Sequence, residues 1–288
     1  HRDLHSFPTR RSSDLKASPK IEMVLVPSGT FQLDDTTTNR AYLSSFYMSK
    51  TEITRKQFKT VMGYDPSDTS NSSGTQDPVQ KVNWYHALVF CNKLSMREGL
   101  TPVYPINSST NPARWGSVPL MKEDYTPSKN TDSWDAVRAD WSADGYRLPT
   151  EMEWMWAVMG ADKDNPGKVN TTGYNKKFAG SKGNNNIGDY AWYDENSNKK
   201  THPVGTKQQN ELGLFDMSGN VWEWCWDRHG DYPTGSITNY RGATTGDFRV
   251  GRGGSWLHNA SYVSVAFRLY GSPYAQGDDM GFRVVRSK

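Results

Sequence analysis

The sequence predicts an irregular α+β domain with short strands, few helices and long ordered loops. Glycine occurs 25 times and proline 15 times among 288 residues, which is typical of a chain with many turns. Apolar residues form only 35% of the chain, but 11 Trp, 15 Tyr and 10 Phe supply enough bulk for a sizeable core. Length alone allows one or two domains. Because no repeat, heptad or linker interrupts residues 16–288, we expect one.

Short apolar segments between turn residues predict the strands. Ile21–Val26 is the first strand, and Phe31–Leu33 and Phe46–Ser49 follow. Leu214–Phe215 and Val221–Trp224 are predicted strands in the second half, before a glycine-rich C-terminus of short strands and tight turns.

Helix-capping residues predict three helices. Between the third helix and Asn210 the chain is polar and rich in Asn, Gly and Lys, so we expect an ordered loop region. The helices are expected to begin after Thr54, Asn83 and Thr150, with Gln57 and Glu153 completing capping boxes, and the first two to end at Gly63 and Gly99.

Charge and composition exclude several classes of function. With 34 basic and 31 acidic residues the net charge is +3, and no basic stripe indicates nucleic-acid binding. No apolar run reaches the roughly 20 residues that span a bilayer. Cys91 and Cys225 lie in apolar surroundings typical of buried small hydrophobic residues, although a disulfide between them remains open. The redox compartment therefore stays undecided.

Residues 1–15 match nothing that follows in composition or pattern. They resemble a translated sequencing-adapter leader, so we expect them to be non-native and exclude them from fold reasoning. On that expectation a native signal peptide or lipid anchor would have been lost with the true N-terminus.

Several motifs occur together and in order. They are MVLVPSGTF, KTEITRKQF, VNWYHALVFCNKLS with EGLTPVY, GYRLPTEMEWMWA, THPVG, NELGLFDMSGNVWEWCWD, RVGRGGSW and GFRVVR. Together they resemble the formylglycine-generating-enzyme (sulfatase-modifying-factor) domain family over roughly residues 20–288. The resemblance implies a variant of the C-type lectin fold.

The resemblance does not extend to the chemistry of the enzymatic members. Those enzymes hold copper with two cysteine thiolates between the GGS and GFR motifs, and Leu257–Met280 contains no cysteine. A second, iron-dependent branch adds a helical domain with a histidine cluster. The histidines here are scattered without metal-ligand spacing. We therefore expect no copper and no catalysis.

Non-catalytic family members include target proteins of diversity-generating retroelements, in which template adenines are rewritten at asparagine codons of a C-terminal repeat. In the tail, residues 256–280, the positions that are usually asparagine-rich hold side chains with no shared chemistry. We call these the variable positions: Leu257, His258, Asn259, Tyr262, Phe267, Leu269, Tyr270, Gly271, Ser272, Tyr274, Ala275, Gly277, Asp278 and Asp279.

The codon argument supports this interpretation. Each variable residue can be reached from AAC or AAT by changing only adenines. None is Lys, Glu, Gln, Met or Trp, which such codons cannot become. Gln276 interrupts the run, at a position that is usually Arg in the family. Ordinary drift on a surface would also give mixed residues, so that alternative stays open.

A fixed frame around these positions would let them change without loss of the fold. The predicted tyrosine and phenylalanine contacts suit a binding surface, and exposed Leu257 and Leu269 would add an apolar patch. Alternatively, Phe267 faces the core. The frame consists of Gly253, Gly254, Trp256, Arg268, Pro273, Gly281 and Phe282.

The family resemblance also implies structural Ca²⁺, which takes oxygen ligands. One predicted site uses the Asp216 and Glu223 side chains with the Gly219 and Val221 carbonyls, and the alternative role of these carboxylates is hydrogen bonding to loop amides. A second site is weakened because Asn196 replaces an aspartate. It uses Asn186, Ile187, Asn196 and Asn198.

The sequence thus predicts a non-enzymatic display protein that binds variable protein or glycan ligands. We expect a monomer on a bacterial cell surface or phage particle. Two alternatives remain: an enzyme of the same fold with an unrecognised site, and a structural surface lipoprotein or secretion component whose tail is buried against a fixed partner.

Overall fold

A computed structural model describes residues 18–288, so the predicted leader lies outside the described residues. The predicted α+β class is confirmed: short strands and few helices are joined by long loops. The strands are β1 (Met23–Val26), β2 (Gly29–Gln32), β3 (Arg40–Leu43), β4 (Phe46–Ser49), β5 (Trp222–Arg228), β6 (Ser236–Thr238), β7 (Arg249–Arg252), β8 (Leu269–Gly271), β9 (Met280–Gly281) and β10 (Val285–Ser287). The helices are α1 (Arg55–Met62), α2 (Trp84–Arg97), α3 (Asp132–Asp135) and α4 (Glu151–Val158).

The capping residues place the helices as predicted. The Thr54 and Thr150 hydroxyls accept hydrogen bonds from the third residue of α1 and α4, and the side chains of Gln57 and Glu153 bond back to the cap amides. Both boxes therefore satisfy amide donors that a helix leaves unpaired at its first turn. Helix α1 ends at Gly63, whose φ of 92° is the left-handed conformation that glycine favours.

The Leu214–Phe215 segment is not a strand, contrary to the sequence prediction. The amides of Leu212 and Leu214 donate to the side-chain oxygen of Asn210, at 3.0 and 3.2 Å. The Asn210 side chain thus holds this segment in a turn. Strands β3 and β6 and helix α3 were not predicted.

Three sheets organise the chain. Strand β4 lies between β1 and β10, and β3 lies between β2 and β6. The third sheet has the order β8-β7-β5-β9, with β7 antiparallel to β5 and β9 parallel to it. The chain leaves this sheet after β7 and returns to it through β8 and β9. The tail is therefore anchored to the sheet on both sides.

Two apolar clusters form the core, one around α2 and one around α4. Cys91 lies in the first and Cys225 in the second, both buried as free thiols. The prediction that they pack as small hydrophobic residues is confirmed. Burial raises the pKa of both thiols well above the usual range. Within residues 18–288, no helix is both long and apolar enough to cross a membrane.

Candidate functional site

The tail separates a mostly buried frame from variable positions that are all at least partly exposed. Every variable position is at least partly exposed, and Leu257 and Tyr270 reach 52% and 58% exposure. The frame residue Arg268 is partly exposed, whereas the others are buried: Gly253, Gly254, Trp256, Pro273, Gly281 and Phe282.

Main-chain contacts fix the start of the tail. The Trp256 amide donates to the Asn220 carbonyl at 2.8 Å, and the Trp256 indole donates to the Asp278 carbonyl at 3.3 Å. Gly254 has a φ of 76°, and a Cβ there would lie 2.5 Å from the Val263 side chain. Only glycine fits this conformation and space.

Arg268 attaches the far side of the tail to the first turn of α4. Its guanidinium donates to both oxygens of the Glu151 carboxylate, at 2.7 and 2.8 Å. Arg252 of β7 approaches the same carboxylate at 3.3 Å, and Glu151 is 2% exposed. A paired fork of this kind fixes orientation as well as position.

One group of variable side chains forms an aromatic cluster. The ring centroids of His258 and Tyr262 are 5.0 Å apart, and those of Tyr262 and Phe267 are 4.6 Å apart. Phe267 also lies 5.7 Å from Trp222, which is 1% exposed. Phe267 is therefore at the rim of the core, with a face left to solvent.

A second group lies around Tyr270 of β8. Its ring packs 5.0 Å from His229 and 5.4 Å from Phe248, which is itself 46% exposed. Leu269 beside it is only partly exposed and packs on the core, so it contributes less apolar surface than Leu257. His229 and Phe248 extend the surface beyond the tail. In the sequence, Phe248 stands in a polar segment before β7, and this isolated aromatic residue could have indicated that the surface extends there.

Two variable positions are constrained by packing. A Cβ on Gly271 would lie 2.9 Å from the ring of Trp224, which is 1% exposed and donates to the Val82 carbonyl. The Ser272 hydroxyl is buried with no hydrogen-bond partner among the described residues. These positions have less freedom than the pattern of residue types suggested.

Ionisable groups converge at one place in the tail. The Nδ1 atom of His258 lies 2.7 Å from the Ser255 hydroxyl, 3.6 Å from the Asp279 carboxylate and 3.3 Å from the Trp222 indole nitrogen. Burial raises the pKa of Asp279, which also accepts a bond from Ser255 at 3.1 Å. A nucleophilic triad needs serine and carboxylate on opposite ring nitrogens. Here both meet Nδ1, so this geometry is not that of a triad.

The first predicted calcium site does not offer a free carboxylate pair. Both oxygens of Glu223 are bonded to the Arg283 guanidinium, at 2.6 and 2.7 Å, and the Trp154 indole donates to one of them. Asp216 accepts from the Gly205 amide at 2.7 Å, which leaves one buried oxygen unpaired. Glu223 thus fits an ion pair with Arg283, and of the two carboxylates only Asp216 has an oxygen without a partner within residues 18–288.

In the second predicted calcium site, both asparagine side chains already make internal hydrogen bonds. The Asn196 oxygen accepts from the Tyr193 amide, and its nitrogen donates to the Ala191 carbonyl, both at 2.9 Å. The Asn186 oxygen accepts from the Gly188 amide at 2.9 Å. Across residues 18–288, no group of three or more His, Cys, Asp or Glu is arranged to hold a metal ion. Calcium stays a prediction that these contacts do not favour.

Comparison with known proteins agrees with this architecture. The Treponema denticola variable protein 1 structure superposes with a TM-score of 0.77 and 36% identity, covering 92% of this chain and 95% of that one. A protein of Paenibacillus barcinonensis named chaperone protein LppX is 34% identical over 93% of this chain and 90% of its own length. A formylglycine-generating enzyme of Thermomonospora curvata is 28% identical over 91% and 92%.

The family comparison covers nearly the whole chain. Residues 10–288 match the sulfatase-modifying factor enzyme 1-like domain. A relative named as an enzyme matches most of this chain in sequence, and a structure named as a variable protein shares its fold. The chain belongs to the sulfatase-modifying factor enzyme 1-like domain family.

Proposed function

We propose that this chain is a non-enzymatic binding protein whose tail displays diversifiable side chains to a protein or glycan ligand. The observation that carries the proposal is the division of the tail into a mostly buried frame and variable positions that are all at least partly exposed. Side chains that face solvent can change with little effect on the fold. The similarity to a structure named a variable protein supports the same proposal.

The residue types at the surface suit recognition. Tyr262, Phe267 and Tyr270 supply large rigid contact area at low entropic cost, because each has few rotatable bonds to immobilise. Leu257 adds an exposed apolar contact. These side chains would contact the ligand, while the frame residues hold the backbone of the tail in place.

An enzyme of the same fold is the rival proposal. Its best support is the cluster of Ser255, His258 and Asp279. Ser255, however, is fully buried, and it shares one ring nitrogen with the carboxylate. A reacting atom would have to reach a hydroxyl that solvent does not reach, so binding is the better supported function.

A second candidate rests on the relative named a chaperone. A surface protein with one fixed partner would use the same exposed tail but would not vary it. Cell-surface or phage location and a monomeric state are parts of our proposal, and the chaperone candidate shares the surface location.

The DNA downstream of the gene distinguishes these proposals. Sequencing should find a near-duplicate of codons 257–279 with adenines at the mismatches, and a reverse-transcriptase frame nearby. Independent isolates should then differ at the variable positions and agree at the frame. Absence of any such repeat, with identical tails among isolates, would reject diversification and favour the fixed-partner candidate.

A further inference from the structure

A cavity of about 340 Å³ lies outside the variable positions and has a strongly basic lining. No carboxylate is among its lining residues in the described part of the chain. Its charged and aromatic walls are formed by Arg138, Arg228, Arg241, Arg249, Trp141 and Trp226.

Arg249 is the buried member of this set. It is 3% exposed, donates to the Trp226 carbonyl at 2.9 Å, and stacks 3.7 Å from the centre of the Trp84 ring. Its Nε atom is buried with no partner within residues 18–288. Burial, followed by the neighbouring charge of Arg228, lowers the pKa of Arg249 to about 9. A buried cation with an unpaired donor lacks the counter-charge that such groups normally have.

The other guanidinium groups are bonded to carbonyls or rings. Arg228 donates to the carbonyls of Gly246 and Asp135, and Arg241 stacks 4.4 Å from the centre of the Trp141 ring. Arg138 donates to main-chain carbonyls close to it in sequence, at 3.1 and 3.2 Å. None of the cavity's arginines has a carboxylate within 4.0 Å among the described residues.

Two carboxylates lie close enough to act on Arg249. Each already accepts a hydrogen bond from another group, although one Asp227 oxygen has no partner within residues 18–288. Asp135 accepts the Tyr85 hydroxyl at 2.5 Å, and Asp227 accepts the Glu151 amide at 2.8 Å. They reduce the positive field without filling the cavity. The lining therefore remains cationic.

We propose that this cavity binds a tetrahedral oxoanion, a phosphate or sulfate that is free or carried as a monoester on a larger molecule. Guanidinium forks match the oxygens of such anions, and the anion would supply the counter-charge that Arg249 lacks. The site uses β5, β7, the loop between them and residues 137–141 after α3. It contains none of the variable positions, so it would be constant while the tail varies.

The test uses inorganic phosphate and sulfate titrated into the full chain, with sodium chloride at matched ionic strength as the control. Tryptophan indole N–H signals in NMR spectra report the site through Trp226 and Trp141. We expect saturable shifts of these signals with both oxoanions and no matching response to chloride. Glucose 6-phosphate and glucose 6-sulfate, run beside glucose, then show whether an ester is accepted.

Two variants locate the effect. Arg228→Gln and Arg241→Gln should each weaken oxoanion binding by about tenfold, because a charge-assisted hydrogen bond is lost. Arg114→Gln, an exposed arginine outside the cavity, should bind as wild type does. If Arg228→Gln fails to fold, Arg241→Gln carries the test because its side chain is exposed. Non-saturable shifts, or equal affinity in all variants, would overturn the proposal.

Discussion

Trp256 and Leu257 are neighbours in the chain with opposite surroundings: Trp256 is 4% exposed and Leu257 is 52% exposed. We expect Leu257→Asn to change the free energy of unfolding by no more than about 0.5 kcal/mol. Trp256→Ala should cost about 3–5 kcal/mol, because it empties a buried site and removes an indole hydrogen bond. Urea unfolding of the two variants measures this, and similar losses would contradict the frame assignment.

Gly271 and Gly277 form a matched pair within the variable positions. A Cβ at Gly271 meets the buried Trp224 ring at 2.9 Å, whereas at Gly277 it meets the tip of the Asp279 side chain at 2.6 Å. The carboxylate can rotate away and the ring cannot. We therefore expect Gly271→Ala to lose about 1–3 kcal/mol of unfolding free energy and Gly277→Ala to lose little. Equal melting temperatures would show that position 271 is as free as the others.

Asp216 gives a pH-dependent prediction. Burial raises its pKa from 3.8 to about 6. The folded state then holds the proton more tightly than the unfolded state, so this stabilisation is complete below about pH 4 and is lost as the pH rises through about 6. Asp216→Asn should gain stability relative to wild type between these limits, by roughly 2–3 kcal/mol. Unfolding free energies that keep a constant difference across that range would contradict the shift.

The same variant tests calcium. If calcium binds at Asp216, adding it near neutral pH raises the melting temperature of wild type and leaves Asp216→Asn unchanged. Because Glu223 is already paired with Arg283, we expect little response in either protein. A clear rise confined to wild type would support the calcium prediction at Asp216.

At the scale of elements, the contact between Arg268 and α4 fixes one side of the tail. Arg268→Ala leaves the buried Glu151 with only the more distant Arg252, so we expect a loss of about 3 kcal/mol. Arg268→Lys keeps the charge but loses the bidentate hydrogen bond, so its stability should lie between those of wild type and Arg268→Ala. Hydrogen exchange of β8 should rise in the alanine variant, and unchanged protection would mean that the pair does not hold the tail.

Helices α1, α2 and α4 and several strands could be predicted because their signals are local, whereas α3 has no side-chain cap and was not predicted. Thr54 and Thr150 carry complete capping boxes within four residues of sequence. Strand β6 has only three residues, and its pairing with β3 spans most of the chain, so no local pattern shows it. The strand predicted at Leu214–Phe215 was wrong because the Asn210 side chain accepts from the amide of buried Leu214 and holds the segment in a turn.

The binding surface was predictable only in part, because some of its contacts join residues that are distant in sequence. Sequence spacing separated the frame from the variable positions, since glycine and Trp256 mark fixed backbone. It could not show that Gly271 touches Trp224, or that His229 and Phe248 join Tyr270. Those contacts depend on sheet register and on loops that come together in space.

At the scale of the whole molecule, the tail is carried by a sheet whose inner strands, β5 and β7, are buried along most of their length. Strand β10 near the C-terminus pairs with β4, on the side opposite β1. Rigid elements thus surround a surface whose variable positions are all at least partly exposed. This arrangement lets binding specificity change without changing the fold.

A combinatorial library tests this central claim most directly. The variable positions other than Gly271 and Ser272 would receive codons derived from AAC by changing adenines, and a matched library would change the buried frame positions. The fraction of clones that remain folded is measured by protease-resistant display. Our account predicts that most tail clones stay folded and almost no frame clones do. Equal folded fractions in the two libraries would contradict it.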